Sequence, residues 1–171
     1  MAQTVTGLFN DQESAEQAYL SATNAGYRAD EIDVVMSEET RERFYGKNKT
    51  LETEVGNKSA EGAAIGGAIG ATAGAIAAAI AATGTVLALP GLGLVVAGPL
   101  AAAIAGAGAG GVSAGIVGAL IGWAIPEDRL KEYEEGVSKG GILIGVRSRN
   151  EDDSQRLARE WEENQGYNIY S

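Results

Sequence analysis

The chain has 171 residues, 45% of them hydrophobic, with 25 glycines and a formal net charge of −10. That length fits one domain, or one small domain with an extension. The acidic balance argues against nucleic acid and anionic lipid headgroups as partners. With no histidine and no cysteine, it also lacks the commonest general base, the commonest zinc ligand and any thiol nucleophile.

The N-terminus, MAQTVTGLFNDQESAEQ, has neither a basic nor an apolar leader pattern, so a cytoplasmic location is expected. Thr4 to Phe9 is a short β-prone run. Asn10, with Glu13 three residues on, has capping-box spacing and predicts a helix start. Ala15, Ala18, Tyr19 and Ala22 make that helix's apolar face, and Asn24-Ala25-Gly26 ends it. Glu31 to Ser37 reads as a second strand, Glu38 to Tyr45 as a short helix, and Gly46 to Lys58 as a polar loop.

From Gly62 to Pro126 no residue is charged. Gly62, Gly66, Gly70 and Gly74 recur at every fourth position, and so do Gly98, Ala102, Gly106, Gly110, Ala114, Gly118 and Gly122. On a helix, residues four apart share a face, so each series draws a stripe that lets another backbone come close. Glycine costs roughly 1 kcal/mol per helical position relative to alanine, so such stripes imply a return in packing. Ile65, Ile69, Ile76 and Ile80 lie beside the first stripe. Pro90-Gly91 and Gly98-Pro99 mark a turn region in LALPGLGLVVAGP. A second helix is expected from Pro99 to about Ala124, with Leu100, Ile104, Val112, Ile116 and Leu120 in its bulk and Ser113 its polar side chain. The segment thus reads as an antiparallel helical hairpin with no polar face.

The last flank mirrors the first. Pro126 suits the first turn of a helix running to about Gly136. Ile142 to Val146 is a strand, Asn150 caps a helix carrying Leu157, Ala158 and Trp161, and Tyr167 to Tyr170 is a final strand. Sliding the first flank by 140 positions sets Asn10 on Asn150, Ser14 on Ser154, Ala18 on Ala158, and Gly26-Tyr27 on Gly166-Tyr167. That layout suggests a duplication. The expected fold class is α+β: a ferredoxin-like split βαβ module with an inserted apolar glycine-zipper hairpin. Residues 1–58 form the first half of the module, 59–125 the hairpin, and 126–171 the second half.

A helix that is apolar all round must be buried. Other copies of the hairpin, or lipid, would bury it. Length permits a membrane-inserted hairpin, but four isoleucines contribute only roughly −1 to −2.5 kcal/mol towards insertion. Glu61, Glu127 and Asp128 flank the segment without the positive bias of a membrane anchor.

Chemistry is weakly signalled. Gly106, Gly108 and Gly111 satisfy GxGxxG spacing inside an apolar helix, without the preceding strand that dinucleotide binding requires. Glu151-Asp152-Asp153 sits at a helix start, where negative charge is stabilised. Glu132, Glu134 and Glu135 read as a solvated face. RNA binding on the sheet would require aromatics and basic charge that Ile142 to Val146 lacks. No cofactor, metal or catalytic residue is expected.

The stretch "VTGLFNDQESAEQAYLSATNAGYRADEIDVV" resembles the opening module of bacterial heat-induced and general stress proteins, and of the low-temperature-induced proteins of cyanobacteria. "GALIGWAIPEDRLKEYEEGVSKGGILIGVRS" is similar to that family's return from its glycine-rich centre. The resemblance implies stress-linked expression without a defined enzymatic activity. The expectation is therefore a non-enzymatic, high-order homo-oligomer, associating through Gly62, Gly66, Gly70, Gly74, Gly98, Gly106, Gly110, Gly118 and Gly122. The alternatives are a hairpin in a lipid bilayer, making the protein membrane-associated, or a small-ligand sensor.

Overall fold

In a computed structural model of the chain, the described residues are 3–45, 74–77, 86–89, 93–107, 120 and 125–171. Strand β1 (Thr4–Phe9) leads to helix α1 (Gln12–Asn24). The helix is capped one residue later than expected. Asp11, not Asn10, accepts the Ser14 backbone N–H at 2.8 Å and the Ser14 hydroxyl at 2.9 Å. Gly26 then reverses the chain at φ +88°. Strand β2 (Ile32–Ser37) and helix α2 (Glu38–Tyr45) follow, both close to their expected bounds.

The centre of the chain holds the main departure. Val86–Leu89 is strand β3 and Leu94–Ala97 is strand β4, so most of the region read as a turn between helices is a β-hairpin. Runs of four apolar residues give too short a pattern to separate strand from turn flank, and pairing with β2 decides the matter. Helix α3 begins at Pro99 as expected and is described through Ala107. Residues 108–119 and 121–124 lie outside the described residues, as does the glycine series at 62, 66 and 70.

Helix α4 (Glu127–Ser138) runs two residues past Gly136. Gly136 sits inside it because a Cβ there would collide with Leu8 Cδ1 on β1. Strand β5 (Ile142–Arg147), helix α5 (Glu151–Glu163) and strand β6 (Tyr167–Tyr170) complete the chain. Asn150 caps α5, its side-chain oxygen accepting the Asp153 N–H at 2.8 Å.

The six strands form one sheet in the order β3-β4-β2-β5-β1-β6, each paired antiparallel to its neighbours. β5 lies between β1 and β2, so the α1 crossover leaves a gap that the return flank fills. The class is mixed α and β.

Helices cover both faces of the sheet. Ile32, Val34, Met36, Ile142, Ile144 and Val146 face one way, beneath Ala15, Ala18 and Ala22 of α1 and Leu157 and Trp161 of α5. The Trp161 ring meets Phe9 edge-on at 5.9 Å, and its Nε1–H donates to the Ala18 carbonyl at 3.0 Å. Val35, Leu143, Leu94 and Val96 face the other way, beneath Leu100 and Ile104 of α3 and Leu130, Tyr133 and Val137 of α4. Strands buried on both sides need apolar residues at successive positions, which is why Ile142 to Val146 is an unbroken apolar run.

Helices α1 and α5 correspond at an offset of 139, not the 140 that aligns residue identities. Ala15, Ala18 and Ala22 of α1 are buried as Ser154, Leu157 and Trp161 of α5 are. The caps follow suit, Asp11 against Asn150, and so do the left-handed residues, Gly26 against Gln165.

Candidate functional site

Of the glycines expected to mediate association, Gly74, Gly98 and Gly106 fall among the described residues, while Gly62, Gly66, Gly70, Gly110, Gly118 and Gly122 lie outside them. A Cβ at Gly74 would meet nothing within 4 Å. Gly98 stands just before α3 at φ +101°, and a side chain there would collide with the Ile32 carbonyl and come within 2.8 Å of Asp33 Oδ1. Its closeness thus serves packing within the chain. Gly106 lies in the last turn of α3. That helix turns Leu100, Ala101 and Ile104 inward and leaves Ala102, Ala103 and Ala105 exposed.

Where α3 begins, the structure assembles groups that the sequence did not single out. Asp33 lies on the α3 side of β2, between Ile32 and Val34, which face the opposite layer. Its residue is only 6% exposed, and its Oδ1 accepts the Leu100 backbone N–H at 2.6 Å. A carboxylate from a distant strand thereby caps α3, since Gly98 has no side chain to do so. Burial pushes the Asp33 carboxyl up to about 7, opposed by the Leu100 hydrogen bond and then by the Arg147 guanidinium.

A cleft of about 280 Å³ opens beside it. Pro99, Leu100 and Ala103 of α3 form its apolar wall, and Thr4 and Arg147, paired across β1 and β5, stand at the other side. Asp30 and Glu31 complete the rim, and both are already engaged. Asp30 meets Arg28 Nε at 3.1 Å, while Glu31 accepts the Arg28 N–H at 2.9 Å and faces Arg149 at 3.4 Å. Arg147 makes no ion pair among the described residues.

A second buried carboxylate works on the opposite layer. Glu16 of α1 is 1% exposed, accepting the Tyr45 hydroxyl at 3.1 Å and the Ile76 backbone N–H at 3.0 Å. Burial raises its pKa, and these hydrogen bonds hold the rise back. Ile76 belongs to the uncharged run, as Leu100 does, so two points of the described part of that run are each held by a buried acid of the module.

The acidic clusters noted in the sequence are surface features. Asp153 meets Arg156 at 3.1 Å, Glu132 meets Arg129 at 3.5 Å, and Glu135 meets Lys139 at 2.6 Å. Among the described residues no group of three or more acidic side chains is placed to hold a metal ion, and no helix is long and apolar enough to cross a membrane. Comparison of the chain with protein-family models, with curated proteins and with solved structures gives no match.

Proposed function

We propose that this protein is a non-enzymatic scaffold that self-associates through its uncharged glycine- and alanine-rich segment, with the acidic α/β module as a solubilising shell. The observation that carries this reading is the orientation of α3. Its large side chains and Ala101 are turned to the sheet, and Ala102, Ala103 and Ala105 face outward. Among the described residues both sheet faces are covered, by α1 and α5 on one side and by α3 and α4 on the other. Small residues on an outward face allow close approach of another backbone.

In this reading the module follows the ferredoxin-like split βαβ plan. The order β2-β5-β1-β6, with crossovers through α1 and α5 on one face, supports it. The domains remain residues 1–58, 59–125 and 126–171, with the β3–β4 hairpin as the central segment's contribution to the sheet. The stress-linked role rests on the family resemblance alone. Sedimentation in detergent-free buffer tests the assembly: a large, discrete species supports it. Recovery only from carbonate-resistant membranes would transfer the function to lipid anchoring.

A further inference from the structure

We propose that the cleft between Asp33 and Arg147 binds a small zwitterion of the α-amino-acid class, its ammonium on Asp33 and its carboxylate on Arg147. Charge is the first reason. With Asp30 and Glu31 paired to Arg28 and Arg149, the two groups left without an ion pair are one carboxylate and one guanidinium of opposite sign. They are farther apart than a direct salt bridge, which leaves room for a ligand bearing both complementary charges. A lone anion would face Asp33, and a lone cation would face Arg147. A zwitterion satisfies both.

Hydrogen-bonding capacity is the second reason. Asp33 Oδ1 is committed to the Leu100 N–H, the one hydrogen bond found to this carboxylate among the described residues. An ionised carboxylate can accept several hydrogen bonds, and an ammonium offers three donors. Arg147 presents a planar fork suited to a carboxylate. Size is the third. A cleft of about 280 Å³ lies just below the range that takes drug-sized molecules, about 300–1,000 Å³. Pro99, Leu100 and Ala103 supply an apolar wall for a short side chain.

The site also carries a proton signature. Burial leaves Asp33 partly protonated near neutrality, and an ammonium beside it favours the ionised form. Binding near neutral pH therefore releases a proton. A merely structural acid would not.

The test is thermal unfolding of the full chain with free α-amino acids supplied one at a time, alongside the matched set 2-aminobutyrate, butyrate and propylamine. At roughly tenfold above its Kd, a bound amino acid should raise Tm by roughly 3–6 °C. The matched amine and the matched acid should do so much less. Calorimetry in two buffers of different ionisation enthalpy should then show proton release. Arg147→Gln, at an exposed position, should abolish the shift, as should Asp33→Asn, which keeps an acceptor for Leu100. The proposal is overturned if no amino acid shifts Tm, if propylamine or butyrate alone matches the zwitterion, or if the shift survives in Arg147→Gln.

Discussion

Asp33 accepts the Leu100 amide at 2.6 Å across 67 positions of sequence, so a residue of β2 supplies the cap of a helix in the glycine-rich segment. Glu16 does the same for Ile76 on the opposite layer. The two contacts tie the uncharged run to the module by buried acids, whose ionised forms are disfavoured by their surroundings. Folding is thereby linked to pH.

For Asp33 the folded-state pKa, about 7, stands above its ordinary value of 3.8. Its contribution is therefore fully present below the ordinary value and is lost as pH rises through the raised one. The wild-type protein should lose stability between about pH 4 and about pH 7, by up to about 4 kcal/mol from this group. Asp33→Asn retains the acceptor without the charge, so it should match the wild type at about pH 3.5 and exceed it at about pH 8. Denaturant unfolding at the two pH values measures both.

Glu16→Ala should destabilise the fold by roughly 1–3 kcal/mol, because the Ile76 N–H and the Tyr45 hydroxyl lose their acceptor in a buried place. Glu16→Gln should restore most of that loss. Equal losses in the two variants, measured by chemical denaturation, would show that the hydrogen bonds do not carry the effect.

Much of the fold was legible because its signals are local. The β5 run, the Asn150 cap and the helix through Trp161 announce themselves within a dozen residues. β3 and β4 did not, since Val86–Leu89 and Leu94–Ala97 are four-residue runs bounded by Pro and Gly, and their identity depends on a distant pairing with β2. Asp33 was legible in principle. A lone acid in the run Ile32-Asp33-Val34-Val35-Met36 had to face a covered layer or the water, and α3 decides which. Arg147 carried no signal of its own, because only the sheet register sets it beside Thr4 and across the cleft from Asp33.

Two glycines make opposite predictions. Gly98→Ala combines a left-handed φ with a collision against the Ile32 carbonyl, so it should cost at least about 2 kcal/mol. Gly93→Ala also has a positive φ, +60°, but open space around it, so its cost should be roughly 1 kcal/mol. Tm values of the two variants would rank them, and a reversed order would contradict the packing assigned to Gly98.

Trp161→Ala should be among the costliest single changes, at roughly 3–5 kcal/mol. It removes a fully buried ring, its edge contact with Phe9 and its hydrogen bond to Ala18 together. A loss below about 1 kcal/mol in denaturant unfolding would contradict the two-layer core described for that face.

The central claim is that the outward small-residue face of the uncharged segment meets other copies of itself. Analytical ultracentrifugation of the full chain in detergent-free buffer, beside Ala102→Glu and Ala105→Glu, tests it most directly. Both alanines are exposed within one chain, so the substitutions leave its own core alone. A charge buried in a close helix contact without a partner is strongly unfavourable. The account predicts a discrete high-order species for the wild type, and smaller species with unchanged circular dichroism for both variants. A soluble, folded wild-type monomer, or variants that assemble as the wild type does, would contradict it.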